Sequence, residues 1–353
     1  MSPGESWTRI QATGEGPLSR SGHGAVVIGD MVYLFGGYRD VATQNDLYRL
    51  NMRTLEWTHI LSKGAWPSPR ATFAICAGPE PTQFTIVGGA EGDGGTAGTV
   101  SCDVWVYDTT IHEWKRLTKA CPNKVYGASA CWYDGRLLVY GGSSGSHYYD
   151  GVVQYNPRKD TWHTLITYGD PPSARYKHAC GVMGDSMYII GGGAFKPPQD
   201  SIDMYKFNFR NFEWSAVEAE GKVPPGRTAH CCWFDATSGI IYTFGGFDKR
   251  MTRQSDLSEY DTLTHNRRSI HANNVPPARA FHAAVLYDGA LYVLGGADGD
   301  VRYGDVWRFA FTTTPPTCQV LAARALAIQL PTEMIDLISA LHARHITSIL
   351  KND

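Results

Sequence analysis

The sequence predicts an all-β fold made of six repeated units closed into a ring, and three observations carry that expectation. Gly-Gly pairs recur at Gly36-Gly37, Gly88-Gly89, Gly141-Gly142, Gly191-Gly192, Gly245-Gly246 and Gly295-Gly296, separated by 52, 53, 50, 54 and 50 residues. A regular period of that length marks a chain built from one supersecondary unit per repeat. Ahead of the pairs, two short apolar runs flank a tight turn, with Gly29-Asp30, Asp134-Gly135, Gly184-Asp185 and Asp288-Gly289 as two-residue turns. Such dipeptides supply the positive φ that joins antiparallel strands, so each unit opens with a β-hairpin. After each pair comes a polar loop and a further strand with an aromatic or Leu anchor. Seven residues beyond that anchor stands a Trp in four units: Leu50 to Trp57, Tyr107 to Trp114, Tyr155 to Trp162 and Phe207 to Trp214.

The last two units depart from this spacing. Tyr260 is followed at the same distance by Arg267, and after Phe309 the chain runs into TTTPP without a Trp. The N-terminal segment ESWTRI carries Trp7 directly ahead of the first unit. A strand from it would complete the sixth unit, close the ring and leave no open sheet edge.

Six diglycines and four in-phase tryptophans make residues 6–312 resemble the kelch family. The resemblance implies that each repeat is a four-stranded blade of a six-bladed β-propeller closed by the N-terminal strand. Kelch is a fold signature, and function must be argued from the site.

Composition narrows the function classes. With 43% hydrophobic and 19% charged residues and a formal net charge of −2, nothing draws the chain toward nucleic acid or anionic lipid. The segment MSPGESWTRI lacks both a basic start and an apolar core, and no apolar run reaches membrane-spanning length. These features predict a protein that stays inside the cell, cytoplasmic and/or nuclear. The eight cysteines (Cys76, Cys102, Cys121, Cys131, Cys180, Cys231, Cys232 and Cys318) show no CxxC spacing and read as reduced core thiols.

Antiparallel alternation places the loops after the diglycines on one face, together with the segments leading into the first strands, and the hairpin turns on the other. Binding usually resides in loops on a rigid scaffold. The leading segments repeat P-x-x-R-x-x-H, with Arg20, Arg70, Arg175, Arg227 and Arg279 at the Arg position and His23, His178, His230 and His282 at the His position; the third unit breaks the pattern with KVYGAS around Tyr126. A residue recurring in every unit reads first as a structural bracket. The alternative is a positive funnel at the channel mouth, since guanidinium groups suit carboxylate or phosphate. The fifth loop, FDKRMTRQSD, holds Lys249, Arg250 and Arg253, the densest basic cluster of the six. Beside Arg227 and Arg279 it would form an anion-binding wall, extended by Arg39 and Arg302. Tyr38, Tyr148, Tyr149 and Phe195 would supply aromatic contacts.

Catalytic motifs are absent: there is no GxSxG, HExxH or P-loop, and EGDGG at Glu91 lacks the GK[ST] that phosphate cradling requires. His342 and His345 have no third ligand. No catalytic residue, metal or cofactor is therefore expected. A small-molecule binder or enzyme at the channel mouth stays as an alternative, since kelch-type propellers include sugar epimerases.

Beyond Phe311 the periodicity becomes helical over 313–353. One predicted helix spans 319–329; Pro331 starts a second in which Met334, Leu337, Ile338, Leu341, Ile346 and Ile349 recur at helical spacing. Residues 317–326, TCQVLAARAL, resemble an elongin-binding box, with Leu321, Ala322 and Leu326 in the apolar and small positions and Cys318 where the box has Leu. The following LPTEMIDLI is similar to a cullin-2 box through Leu330, Pro331, Met334 and Ile338. Together with the propeller, this tail resembles the kelch-domain substrate receptors of cullin-2 ubiquitin ligases. That resemblance implies elongin B/C and cullin-2 as partners and a protein or peptide C-terminus captured on the loop face. It makes Arg250 and Arg253 the leading carboxylate anchors, with Arg227 and Arg279 shaping the pocket. The alternative is a kelch adaptor or scaffold whose tail caps the propeller.

Overall fold

Each repeat folds as its spacing requires. In the fourth, the Gly184-Asp185 turn joins Ala179–Met183 to Ser186–Ile190, and Met204–Asn208 and Glu213–Ala216 complete an antiparallel sheet. Gly184 supplies the positive φ of +57° at that turn. The seven-residue interval from anchor to Trp is the distance across the turn between third and fourth strands, so Phe207 lies directly opposite Trp214. The same register pairs Leu50 with Trp57, Tyr107 with Trp114, Tyr155 with Trp162 and Tyr260 with Arg267. The computed structural model describes residues 5–61, 63–92, 98–194 and 200–311. Within them are six sheets of four strands or more, one per repeat and all β. The sequence-predicted helices of 313–353 lie outside the described residues.

The sixth blade confirms the closure expected from the missing Trp. Its strands Ala283–Tyr287, Ala290–Ala297 and Arg302–Ala310 are completed by Ser6–Ile10, antiparallel, with Trp7 opposite Phe309. Trp7 is 1% exposed and packs its ring 5.1 Å from Phe244 and 5.2 Å from Phe309. It thereby links blades five and six in one apolar cluster with Trp233, Leu291 and Val293. Burying side chains of this size stabilises by roughly 1.5–3 kcal/mol each. In blade five, the guanidinium of buried Arg267 lies 5.3 Å from the Tyr260 ring and substitutes for the indole.

The diglycines exist because neighbouring blades meet there. A Cβ on Gly191 would stand 2.7 Å from the Arg227 carbonyl, and one on Gly192 would stand 2.6 Å from the His178 Cβ. Their φ values of +58° and +78° are also left-handed. Freed of side chains, the second glycine donates its N–H to the next blade: Gly142 to Arg175, Gly192 to Arg227, Gly246 to Arg279 and Gly296 to Arg20. The leading segments pair with the loops after the diglycines, as in Ser21 with Tyr38 and Thr228 with Phe247. Both sets therefore share one face, as predicted.

Candidate functional site

The second residue after the Arg position forms a closed ring about the channel. Gly22, Thr72, Gly127, Lys177, Ala229 and Phe281 all adopt left-handed φ between +53° and +66°. Each donates its N–H to the carbonyl of the residue before it in the ring, Gly22 to Phe281, Thr72 to Gly22, and so on round to Phe281 donating to Ala229, at 2.6–3.0 Å. Left-handed backbone costs a non-glycine residue about 1–2 kcal/mol. The closed cycle of six hydrogen bonds offsets that cost and fixes these side chains about the axis.

Above the ring, on the loop face, opens a cavity of about 840 Å³ whose walls come mainly from the first three blades. Ser21, Tyr38, Thr43, Glu91, Tyr126 and the small residues 144–146 line its sides, and Lys177 and Phe281 belong to its floor. Below the ring, a chamber of 260 Å³ is lined by His23, His178, His230 and His282. Burial holds these imidazoles far below their ordinary range, to about 3 for His23, His178 and His282, so they are neutral at physiological pH. His23 Nε2 lies 3.1 Å from the Leu294 carbonyl and His178 Nε2 lies 2.7 Å from the Ser129 hydroxyl. His23 and His178 thereby join neighbouring blades, and among the described residues no cluster of three or more metal-ligating side chains occurs.

The recurring arginines do not reach the mouth. Arg175, Arg227 and Arg279 are at most 1% exposed, as are Arg20 and Arg70. In Arg175, Nε donates to the Ser173 carbonyl, Nη1 to Gly191 O at 2.6 Å, and the two terminal nitrogens fork onto Asp203. Arg227 repeats this with Pro225, Gly245 and Asp256, and Arg279 with Pro277, Gly295 and Asp305. The geometry is that of the structural bracket; the alternative, a binding role for Arg175 with Arg227 and Arg279 shaping the pocket, is corrected, because their donors are spent inside the blade. Blade three carries the same lesson in reverse. Val125 replaces the arginine, and Gly151 stands four residues before anchor Tyr155, where the other blades place Asp46, Asp103, Asp203, Asp256 or Asp305 before theirs. Both halves of the bracket are missing together.

Other sequence-predicted residues divide sharply. Lys249 is exposed and bonded to Asp200, Arg250 is exposed on the rim, and Arg39 lies 3.5 Å from Asp40. Tyr149 stacks edge-on against His147 away from the cavity wall, at 4.8 Å. Tyr148 packs with Tyr176, which also meets Tyr126, at 5.2 and 5.5 Å. Phe195 lies outside the described residues. Arg253 is half-buried, 5.1 Å from the Phe247 ring, with one terminal nitrogen donating to Met251 O. Arg302 lies 4.6 Å from the ring of Tyr38, a cavity-lining residue. Among the described residues, neither arginine forms an ion pair.

Lys177 completes this set, and sequence reasoning missed it. Its ammonium lies 4.5 Å from the centres of both the Tyr176 and Phe281 rings. Burial, with a smaller contribution from the charge of Arg253, lowers its pKa to about 8. Among the described residues no carboxylate pairs with it. The signal was present in the repeats: aligned on their arginines, Lys177 is the charged member of the ring position. The arrangement can hold an anion at the cavity floor, with aromatic rings excluding water around it.

A six-bladed ring with its cavity on the loop side of the diglycines defines a kelch-type propeller. The chain matches the KLHDC2/KLHL20/DRC7 Kelch-repeats domain over residues 22–196 and 177–321 and belongs to that family. It is similar to the Leucine-zipper-like transcriptional regulator 1 homolog of Drosophila melanogaster, 28% identical over 335 residues that cover 88% of this chain and 33% of that protein. The human Leucine-zipper-like transcriptional regulator 1 is 24% identical over 321 residues, covering 88% and 31%. The human Kelch domain-containing protein 3 is 29% identical over 209 residues, covering 56% and 54%. The chain thus spans about a third of the first two relatives and about half of the third.

Proposed function

We propose that this propeller binds the extended C-terminal segment of a partner protein across its loop face and holds the terminal carboxylate at Lys177. Arg253 and Arg302 reinforce the local potential. The observation that carries this reading is a desolvated ammonium without a carboxylate partner among the described residues, on the floor of an 840 Å³ cavity. Charge-assisted hydrogen bonds to a carboxylate in such a place contribute about 1.5–3 kcal/mol each. Ser21, Tyr38, Thr43 and the small residues 144–146 line the cavity, which leaves room for an extended chain. Relative to the sequence expectation, the anchor moves from Arg250 to Lys177, while Arg253 stays.

The finer part of the proposal is that the captured protein is delivered to a cullin-RING ubiquitin ligase through elongin B/C and cullin-2 bound to residues 317–350. The box-like tail motifs support it. Affinity purification followed by mass spectrometry tests both parts, comparing the intact chain, a chain ending at Thr313, and Lys177→Gln. Ligase receptor function requires that the truncated chain lose elongin and cullin but keep its propeller-bound proteins, and that Lys177→Gln do the reverse. Full retention of elongin by the truncated chain would remove the ligase reading and leave an adaptor. Unchanged partner recovery by Lys177→Gln would remove the site.

A further inference from the structure

The outermost strand of a blade leaves a row of main-chain groups facing away from the sheet. In five blades the chain covers that row itself, using the linker that leads into the blade. Thr13-Gly14 runs parallel to Glu56-Trp57, Tyr168-Gly169 to Glu213-Trp214 and Glu220-Gly221 to Asn266-Arg267. Lys63 bridges to Glu113 and Asn273 to Ser6 in the same sense. The bonds repeat: Thr13 N–H to Leu55 O, Lys63 to His112, Tyr168 to Phe212, Glu220 to His265 and Asn273 to Glu5.

Blade three is different. Its outer strand, Thr161–Thr164, pairs on its inner side with Val152–Asn156. The oxygens of Asp160 and Trp162 occupy the positions of Phe212 O and Trp214 O, yet among the described residues no N–H is bonded to either. The cause is linker length. Thirteen residues separate Trp7 from Arg20, Trp57 from Arg70, Trp162 from Arg175 and Trp214 from Arg227, and twelve separate Arg267 from Arg279, whereas eleven separate Trp114 from Val125. The shortened linker bonds to blade two, through Leu117 to Val104 O, Cys121 to Cys102 O and Val125 to Ser101 O. It touches blade three's outer strand through the Lys119 carbonyl, which accepts the Trp162 indole N–H at 3.2 Å. Trp162 is half-exposed, where Trp7, Trp57, Trp114 and Trp214 are buried. Among the described residues, blade three is therefore the one whose outer strand is left without a covering linker.

We propose that the outer edge of blade three is a β-augmentation site that takes an extended, glycine-containing segment of a partner protein, in parallel alongside Thr161–Thr164. The chain's own linkers specify the occupant. At Gly14, Gly169 and Gly221 a Cβ would lie 2.3, 2.2 and 2.3 Å from the main-chain oxygen of Trp57, Trp214 and Arg267, at φ of +77°, +74° and +86°. Gly64 holds the same place in blade two, and Asn274, at φ +52° with its amide donating to Trp7 O, holds it in blade six. The residue beside Trp162 must accordingly adopt left-handed φ, which glycine does most readily, and the residue before it must donate its N–H to Asp160 O. Main-chain bonds supply the affinity and the glycine supplies the selectivity. The surface is separate from the loop-face cavity.

The test uses the full chain and a probe copying residues 165–172, Leu-Ile-Thr-Tyr-Gly-Asp-Pro-Pro, acetylated and amidated so that no terminal carboxylate is present. A short tether in cis acts at an effective concentration in the millimolar range, so the free probe is used at about 1 mM. Hydrogen exchange should slow in residues 161–165 when the probe is added, and the same probe with Ala in place of Gly should give no protection. A second chain carries residues 165–174 in place of 117–124, restoring the thirteen-residue spacing; it should keep the native circular dichroism and lose the response. Protection elsewhere, equal protection by the Ala probe, or an undiminished response in the second chain would overturn the proposal. So would protection of this edge by self-association that the probe does not displace.

Discussion

Replacing Arg175 by Val is expected to lower the unfolding free energy by about 3–5 kcal/mol, the usual cost of breaking one side of a buried ion pair. Adding Asp203→Gly should restore part of that loss. The single change strands the Asp203 carboxylate, 18% exposed and stripped of both guanidinium bonds, and leaves Gly191 O without its charged donor. The double change copies the solution that blade three already uses with Val125 and Gly151. A coupling of about 0.5–3 kcal/mol between the two sites is expected for groups in direct contact. Urea unfolding of the two single variants and the double variant at pH 7 measures it. A loss below 1 kcal/mol for Arg175→Val, or a double variant no more stable than additive losses predict, would show that these brackets do not hold the blades.

Removal of residues 1–11 is expected to prevent recovery of soluble folded protein. The deletion strips five paired residues from Arg302–Ala310 and exposes the cluster that Trp7 shares with Phe244 and Phe309. Loss of a buried Trp side chain alone costs about 3–5 kcal/mol, a large share of the roughly 5–15 kcal/mol typical of a folded domain. The exposed edge that results is an aggregation template. Trp7→Ala should accordingly destabilise by about 3–5 kcal/mol, whereas Thr8→Ala, one residue on and exposed, should stay within about 0.5 kcal/mol. Thermal unfolding of the two variants separates closure by the indole from a generic effect of the terminus.

The ring was legible because its determinants are local and repeated. Diglycine spacing, hairpin dipeptides and the anchor-to-Trp interval each record a backbone constraint, and the absence of a sixth Trp pointed directly to Trp7. The site was less legible, because a repeated charged residue looks alike whether it faces solvent or sheet. For Arg175, Arg227 and Arg279 recurrence suggested a bracket and charge suggested the mouth; the partner that decides between them, an Asp four residues before the anchor, was visible in the same alignment of repeats. Lys177 escaped notice because its importance comes from the hydrogen-bonded ring and from the Phe281 ring of another blade, contacts that no single repeat contains. The open edge of blade three depends on a linker one or two residues shorter than its counterparts, a difference that matters only once the neighbouring sheet is in place.

The claim that Lys177 holds a terminal carboxylate is tested most directly by the pH profile of peptide binding. An acetylated peptide identified from a purified partner's C-terminus is titrated into the full chain from pH 6.5 to 9.5, as free acid and as amide. Lys177 attracts the carboxylate only when protonated, so affinity of the acid should be constant below about 8 and fall as pH rises through that value. Burial raises the pKa of the neighbouring Tyr176 phenol and of the Cys231 and Cys232 thiols, which keeps them from titrating in this window. The amide should bind weakly and without that dependence. Equal affinities for acid and amide, or an acid whose binding is flat across the whole range, would contradict the account.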